Sequence, residues 1–300
     1  MIRIKLLIIT LILITTQIFA KDFIEEKEIN TKVEEKISSL KELKELESFL
    51  NEVEFKDKEL KKWQEYYNTR GKKEVEISLE RGKSYIPFIK AIFEKEGIPQ
   101  EFMFLPIVES KFIMQAKSPK GAAGIWQFMP QTARNYGLVV NKYIDERLDP
   151  IKSTIAAAKH LKSLYRIFSD WVLVIASYNS GENKIIRKVS LHGSSYTDIK
   201  NYLPSQTKSY VPSFIALIEV AKELAEKKGY LYKDTDIEVV KVDRGLNLKE
   251  VAKKLDISFE KIKSLNPHIL KGVIPDDNRV YNLYLPKGYT TDFLTKVMVD

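Results

Sequence analysis

Between Arg81 and Tyr230 the apolar residues recur at helical spacing, and no run in that stretch alternates as a strand does. A chain with this pattern buries its apolar surface by packing helix on helix. Tyr85, Phe88, Ile89, Ile92 and Phe93 share one face, and the run stops at Gly97-Ile98-Pro99. Residues Glu101 to Ser110, EFMFLPIVES, are apolar on most sides and predict a central helix, kinked or restarted at Pro106. Pro130 to Tyr136 predicts a short helix ended by Gly137. Pro150 opens IKSTIAAAKHLKSLYRIF, where Ala156, Ala157 and Ala158 suit close packing. Trp171 to Tyr178 reads as a buried helix closing in NSGEN, and Tyr210 to Lys227 as a long last helix stopped by Gly229.

The flanks read differently. Residues 1–20 place Arg3 and Lys5 before an uncharged run rich in Leu and Ile, with the small Ala20 just ahead of a polar stretch. This is the layout of a secretory signal peptide, and the run is short for a membrane span. An uncleaved N-terminal anchor is the competing reading. Residues 21–80 are dense in Lys and Glu. Ile37, Leu40, Leu43, Leu46, Phe49, Leu50 and Val53 predict one or two amphipathic helices there, with a solvated spacer or a coiled coil as the competing reading. After Tyr232, IEVVKV and VYNLYLP alternate like strands, and LKEVAKKL and SFEKIKSL between them have helical spacing. The expected division is 1–20 signal segment, 21–80 helical extension, 81–230 all-α domain and 236–300 a small βααβ module.

Composition narrows the chemistry. The chain has no Cys, which removes disulfides, thiolate catalysis and Cys-bound zinc. A net charge of +8 suits anionic lipid, nucleic acid or cell wall alike. Export together with the lack of a zinc-finger or RNA-binding motif argues against nucleic acid. No HExxH, GxSxG, GxGxxG or P-loop occurs, and His160, His192 and His268 are scattered, so neither metal nor cofactor is expected.

What remains is one carboxylate. Glu109 ends an apolar run, and an acid in such surroundings has a raised pKa and can donate a proton near neutral pH. Its plain alternative is an ion pair with Lys111. The following SPKGAAGIWQFMP reads as a cleft wall: Gly121 and Gly124 admit close approach to a ligand, and Trp126, Phe128 and Met129 offer apolar surface around Gln127. Tyr178 to Gly181 bunch polar groups at a helix end, where capping is an equal explanation, and Tyr210 could equally be a core tyrosine. Most glycoside hydrolases need two carboxylates. Glu101, Asp145, Glu146, Asp149, Asp170 and Glu182 are the candidates, but DERLDP lies before a helix, where capping is the simpler role.

The segments LPIVES, SPKGAAGIWQFMPQTARNYGL, DERLDP, WVLVIASYNSGENKI and TKSYVP, in that order, resemble the lytic transglycosylases of glycoside hydrolase family 23, most of all the membrane-bound type D members. The resemblance implies a lysozyme-like all-α fold. It also implies cleavage of the β-1,4 bond between N-acetylmuramic acid and N-acetylglucosamine without water. Glu109 matches the single acid/base, which protonates the glycosidic oxygen and then takes the proton of the attacking C6 hydroxyl. The product carries a 1,6-anhydro end, and the substrate's acetamido group replaces a second carboxylate. Ser118 and Gln127 match sugar-contacting positions, Met129 a subsite wall, Tyr178 and Asn179 the Ala-Tyr-Asn motif, and Tyr210 the tyrosine that orients the acid.

Ser177 and Ser180 replace small residues of the family pattern, and Gln206 stands where relatives often carry Glu. The lipobox Cys of many type D relatives is missing, so no lipid anchor is expected. LKEVAKKLDISFEKIKSLNP and LYLPKG resemble the peptidoglycan-binding LysM unit, whose role here is either glycan binding or structural. The implied partner is the peptidoglycan strand and the implied place the periplasm. A lysozyme-type hydrolase and an inactive wall-binding scaffold are the alternatives.

Overall fold

The computed structural model describes residues 58–299 except Lys233. The expected signal segment and the apolar stripe from Ile37 to Val53 lie outside these residues. Described helices α1 (Lys58–Asn68), α2 (Lys72–Gly82) and α3 (Ile86–Glu96) follow one another closely. Gly97 ends α3 in the left-handed conformation at φ 68, which lets Ile98 N donate to Phe93 O at 2.9 Å.

EFMFLPIVES is not one helix. Gln100–Phe104 is a 3-10 turn and α4 (Leu105–Ser110) starts afresh with Pro106 in its first turn, where proline's missing N–H has no partner to lose. Then come α5 (Pro130–Asn135), α6 (Pro150–Phe168), α7 (Trp171–Ser180), α8 (Glu182–His192), the single turn α9 (Tyr196–Ile199) and α10 (Ser205–Lys227). Asp149 caps α6 through Ile151 N and Lys152 N, and Asp170 caps α7 through Val172 N and Leu173 N. Helix α10 starts five residues before the expected Tyr210 and runs through Pro212. Proline leaves the carbonyl four residues back without its helical donor. That carbonyl, Lys208 O, takes the Tyr196 hydroxyl at 3.5 Å. Helix α10 packs on α1, α2 and α7, so residues N-terminal to Arg81 are part of the same helical core.

The C-terminal module holds β1 (Ile237–Val242), β2 (Leu246–Asn247), α11 (Leu248–Lys254), α12 (Phe259–Leu265), β3 (Val273–Ile274), β4 (Tyr281–Pro286) and α13 (Thr290–Lys296). Strands β1 and β4 pair antiparallel, with Val240 opposite Leu283, and β2 pairs with β3. The short β2–β3 pair and α13 are additions to the expected strand, two helices and strand. Val242, Leu248, Val251, Ile262, Leu283 and Phe293 form its core. Ile144, from the loop before α6, is buried in that same cluster. Among the described residues no helix is long and apolar enough to cross a membrane.

Candidate active site

Helix α4 stops at Ser110, one residue past Glu109, because Lys111 and Phe112 both turn left-handed, each at φ 53. Two such residues in a row, neither of them glycine, store strain that the surrounding packing must hold. Phe112 is buried. The reversal leaves Glu109 at a helix end, half-buried.

The expected alternative for Glu109, a pair with Lys111, does not form. Lys111 Nζ lies 3.0 Å from Glu74 Oε1 on α2. Glu109 Oε1 instead accepts a short hydrogen bond from the Tyr210 hydroxyl of α10. Burial pushes the Glu109 carboxyl up to about 7, and the Tyr210 bond pulls it down by less. Tyr210 and Tyr178 are both held well above the ordinary tyrosine value, first by burial and then by the charge of Glu109. Behind Tyr210, Tyr67 of α1 shares a hydrogen bond of 2.9 Å with Ser213 of α10.

Residues 116–128 form a closed loop beside Glu109. Both ends are tied to its middle, through Gly124 N to Ala116 O at 3.0 Å and Ala123 N to Phe128 O at 3.0 Å. Ser118 is half-buried at its start, its Oγ accepting from Ala122 N at 3.0 Å. Gln127 is left-handed at φ 50 and its amide donates to Gly124 O at 2.8 Å. Two bonds tie this loop to the acid's surroundings. Ser110, the neighbour of Glu109, donates to Ile125 O at 2.9 Å, and the Tyr178 hydroxyl donates to Trp126 O at 2.8 Å. Asn179 Oδ1 accepts from Thr207 at 3.1 Å, joining the end of α7 to the start of α10. Glu109 and Tyr210 are thus in direct contact, Tyr178 lies within reach of the Glu109 charge, Gln127 and Ser118 share the adjoining loop, and Asn179 links α7 to α10. Met129 follows the loop at the start of α5, 43% exposed.

Two readings of this loop need correction. Trp126 and Phe128 are buried at 0% and 3% exposure and offer no surface to a ligand. Trp126 is locked inward by its indole N–H to Thr154 Oγ1 at 3.0 Å, and Phe128 lies against Tyr136 and His160. Gly124, at φ 81, admits protein backbone and not a ligand: a Cβ there would stand 1.8 Å from Arg147 O. Gly121 meets nothing within 4 Å and keeps its open approach.

Four of the other six acids are occupied. Asp145 binds Arg147 at 2.8 Å, Glu146 pairs with Lys152, and Asp149 and Asp170 cap helices. Glu182 opens α8 in its first turn. Glu101 keeps one carboxylate oxygen buried and unpartnered. His160 shares a hydrogen bond of 3.0 Å with Tyr136 and is pushed down to about 4 by burial, so it is neutral at pH 7. Among the described residues no group of three His, Cys, Asp or Glu could hold a metal ion. Sequence reasoning missed Ser110, Thr154, Tyr67, Ser213 and Arg147, whose roles rest on contacts between distant segments.

Residues 86–201 match the transglycosylase SLT domain, and residues 236–296 match the LysM-like domain of lytic transglycosylase MltD. The chain carries an SLT transglycosylase domain. Membrane-bound lytic murein transglycosylase D of Escherichia coli (strain K12) is 36% identical over 194 residues, covering 62% of this chain and 43% of that protein. The peptidoglycan transglycosylase gp16 of Escherichia phage T7 is 39% identical over 79 residues, 26% of this chain and 6% of that one. Among solved structures, the 70 kDa soluble lytic transglycosylase of Escherichia coli aligns at TM-score 0.41 and 23% identity, over 50% of this chain and 26% of that chain. The chain therefore spans less than half the length of these relatives. The mainly α class expected from the motifs is that of the described helices, which span the matched SLT region.

Proposed function

We propose that this chain is an exported peptidoglycan lytic transglycosylase with Glu109 as its one acid and base. The observation that carries the reading is a lone carboxyl raised to about 7 and held by Tyr210, with Asp145, Glu146, Asp149 and Asp170 committed elsewhere. A group with that proton affinity is divided between its two forms near neutral pH, as a residue that must both give and take a proton requires. Protonated Glu109 donates to the glycosidic oxygen as the bond to C1 breaks. The C6 hydroxyl of the muramic acid then attacks C1, and the Glu109 carboxylate takes its proton. No water is consumed, and the residue ends each cycle protonated as it began. Tyr210 orients the carboxyl, Ser118 and Gln127 face the sugar, Met129 walls a subsite, and Tyr178 and Asn179 frame the acid.

In this reading residues 81–230 are the catalytic domain and 236–300 the LysM-like module. The basic, uncharged-core layout of residues 1–20 supports export to the periplasm, where the substrate lies. Mass spectrometry of digested sacculi tests the reaction. Muramic ends carrying the 1,6-anhydro ring are expected, and hydrated ends would assign a lysozyme-type hydrolase instead.

A further inference from the structure

The loop before α6 belongs to two places at once. On one side it is built into the C-terminal module. Ile144 is fully buried in the module's core and bridges to Ile269. Asp145 N donates to His268 O at 2.9 Å and Leu270 N donates to Tyr143 O at 2.8 Å. The Tyr284 hydroxyl of β4 donates to Asp149 Oδ1 at 2.5 Å, and Asn282 Nδ2 donates to Asp149 Oδ2 at 2.9 Å.

On its other side this segment grips the loop next to Glu109. Arg147 Nη1 donates to Gly121 O at 2.7 Å and to Phe128 O at 3.1 Å. Those carbonyls lie on either side of the stretch that carries Gln127. The guanidinium is itself aimed by a two-point pair with Asp145, Nε to Oδ1 at 2.9 Å and Nη2 to Oδ2 at 2.8 Å, and both side chains are under a tenth exposed. A planar fork held at two points, away from water, has one orientation available.

We propose that the LysM-like module braces the sugar-facing loop, and that Arg147 is the positioning residue through which it acts. The module then contributes to turnover as well as to any binding of its own. This rests on Gln127 and its loop contacting substrate, as argued above. Arg147 does not touch Glu109, so it sets where the sugar lies and not the proton affinity of the acid.

Two variants of the full chain test this: Arg147→Lys, which keeps the charge and loses the fork, and Tyr284→Phe, which removes one hydroxyl at the module contact. In digestion of sacculi, Arg147→Lys is expected to lower kcat tenfold or more and Tyr284→Phe severalfold. KM should stay within about twofold, and the pH midpoint should match the wild type. Hydrogen exchange over residues 116–128 should quicken in both variants, a readout that needs no activity. If Arg147→Lys does not fold, Tyr284→Phe carries the test alone. Wild-type kcat in the folded variants, a loss confined to KM, or faster exchange limited to residues 236–299 would overturn the brace. The product ends released by the wild type test the reaction separately, because the variant ratios apply to whichever bond is cut.

Discussion

Glu109 owes its proton affinity to the apolar stretch that precedes it and to the packing that closes around it, with Tyr210 as the one group pulling the other way. The proton-donating form dominates below about 7, so kcat/KM should fall as pH rises through that value, read from a pH–rate profile. Tyr210→Phe removes the bond that favours the ionised form. The midpoint should move to higher pH, with kcat at pH 6 down about tenfold or more. Glu109→Gln keeps an acceptor for Tyr210 but has no proton to give, so sacculus binding should persist while cutting is lost. The same raised pKa has a consequence for stability. A carboxyl with a higher pKa folded than unfolded contributes fully below about 4.5 and loses that contribution as pH rises through about 7. Ionised Glu109 therefore costs the fold about 3 kcal/mol at high pH. Thermal melts of Glu109→Gln should run above wild type at pH 8 and draw level near pH 5. The sequence made this residue conspicuous because its flank is apolar over a whole helical run. It left the Lys111 pair open, and the Glu74 contact closed it.

Loop 116–128 shows how little of an irregular element's role is local. Its glycines were legible as backbone freedom, but Gly124 serves an approach to Arg147 O from another segment. Gly124→Ala combines an unfavourable φ of 81 with a Cβ 1.8 Å from that oxygen. It should cost upwards of about 3 kcal/mol in denaturant unfolding. The aromatic residues of the same loop were misread for a similar reason. Trp126, Phe128 and Met129 around Gln127 predict a cleft surface, yet the Trp126 indole N–H finds Thr154 on α6 and the ring turns inward. Helices were more legible. Asp149 before Pro150 and Asp170 before Trp171 mark their own helix starts through bonds to amides two and three residues on. Of the kink or restart that Pro106 predicts, the chain takes the restart, behind a 3-10 turn. The early start of α10 was not legible, because the stretch ahead of Tyr210 is polar.

The helical part and the C-terminal module share a buried polar seam around Asp149 and an apolar one around Ile144. Elements joined this way are expected to unfold together. All three tryptophans, Trp63, Trp126 and Trp171, lie in the helical part, so tryptophan fluorescence follows that part and far-UV circular dichroism follows both. The two probes should give one coincident urea transition. Tyr284→Phe, which deletes a hydrogen bond to a buried acid, should lower its stability by about 1–3 kcal/mol. Taken alone, the sequence determined the mainly α class, the helix caps and stops, the βααβ outline of the module and the unusual setting of Glu109. Each of these rests on contacts between residues a few positions apart. The tertiary structure alone decided that Tyr210 meets Glu109 across 101 residues, that Arg147 holds loop 116–128, and that Ile144 is built into the core of the module. Desolvation, on which the acid's pKa depends, is set by whichever segments close over a group, and spacing along the chain does not specify them.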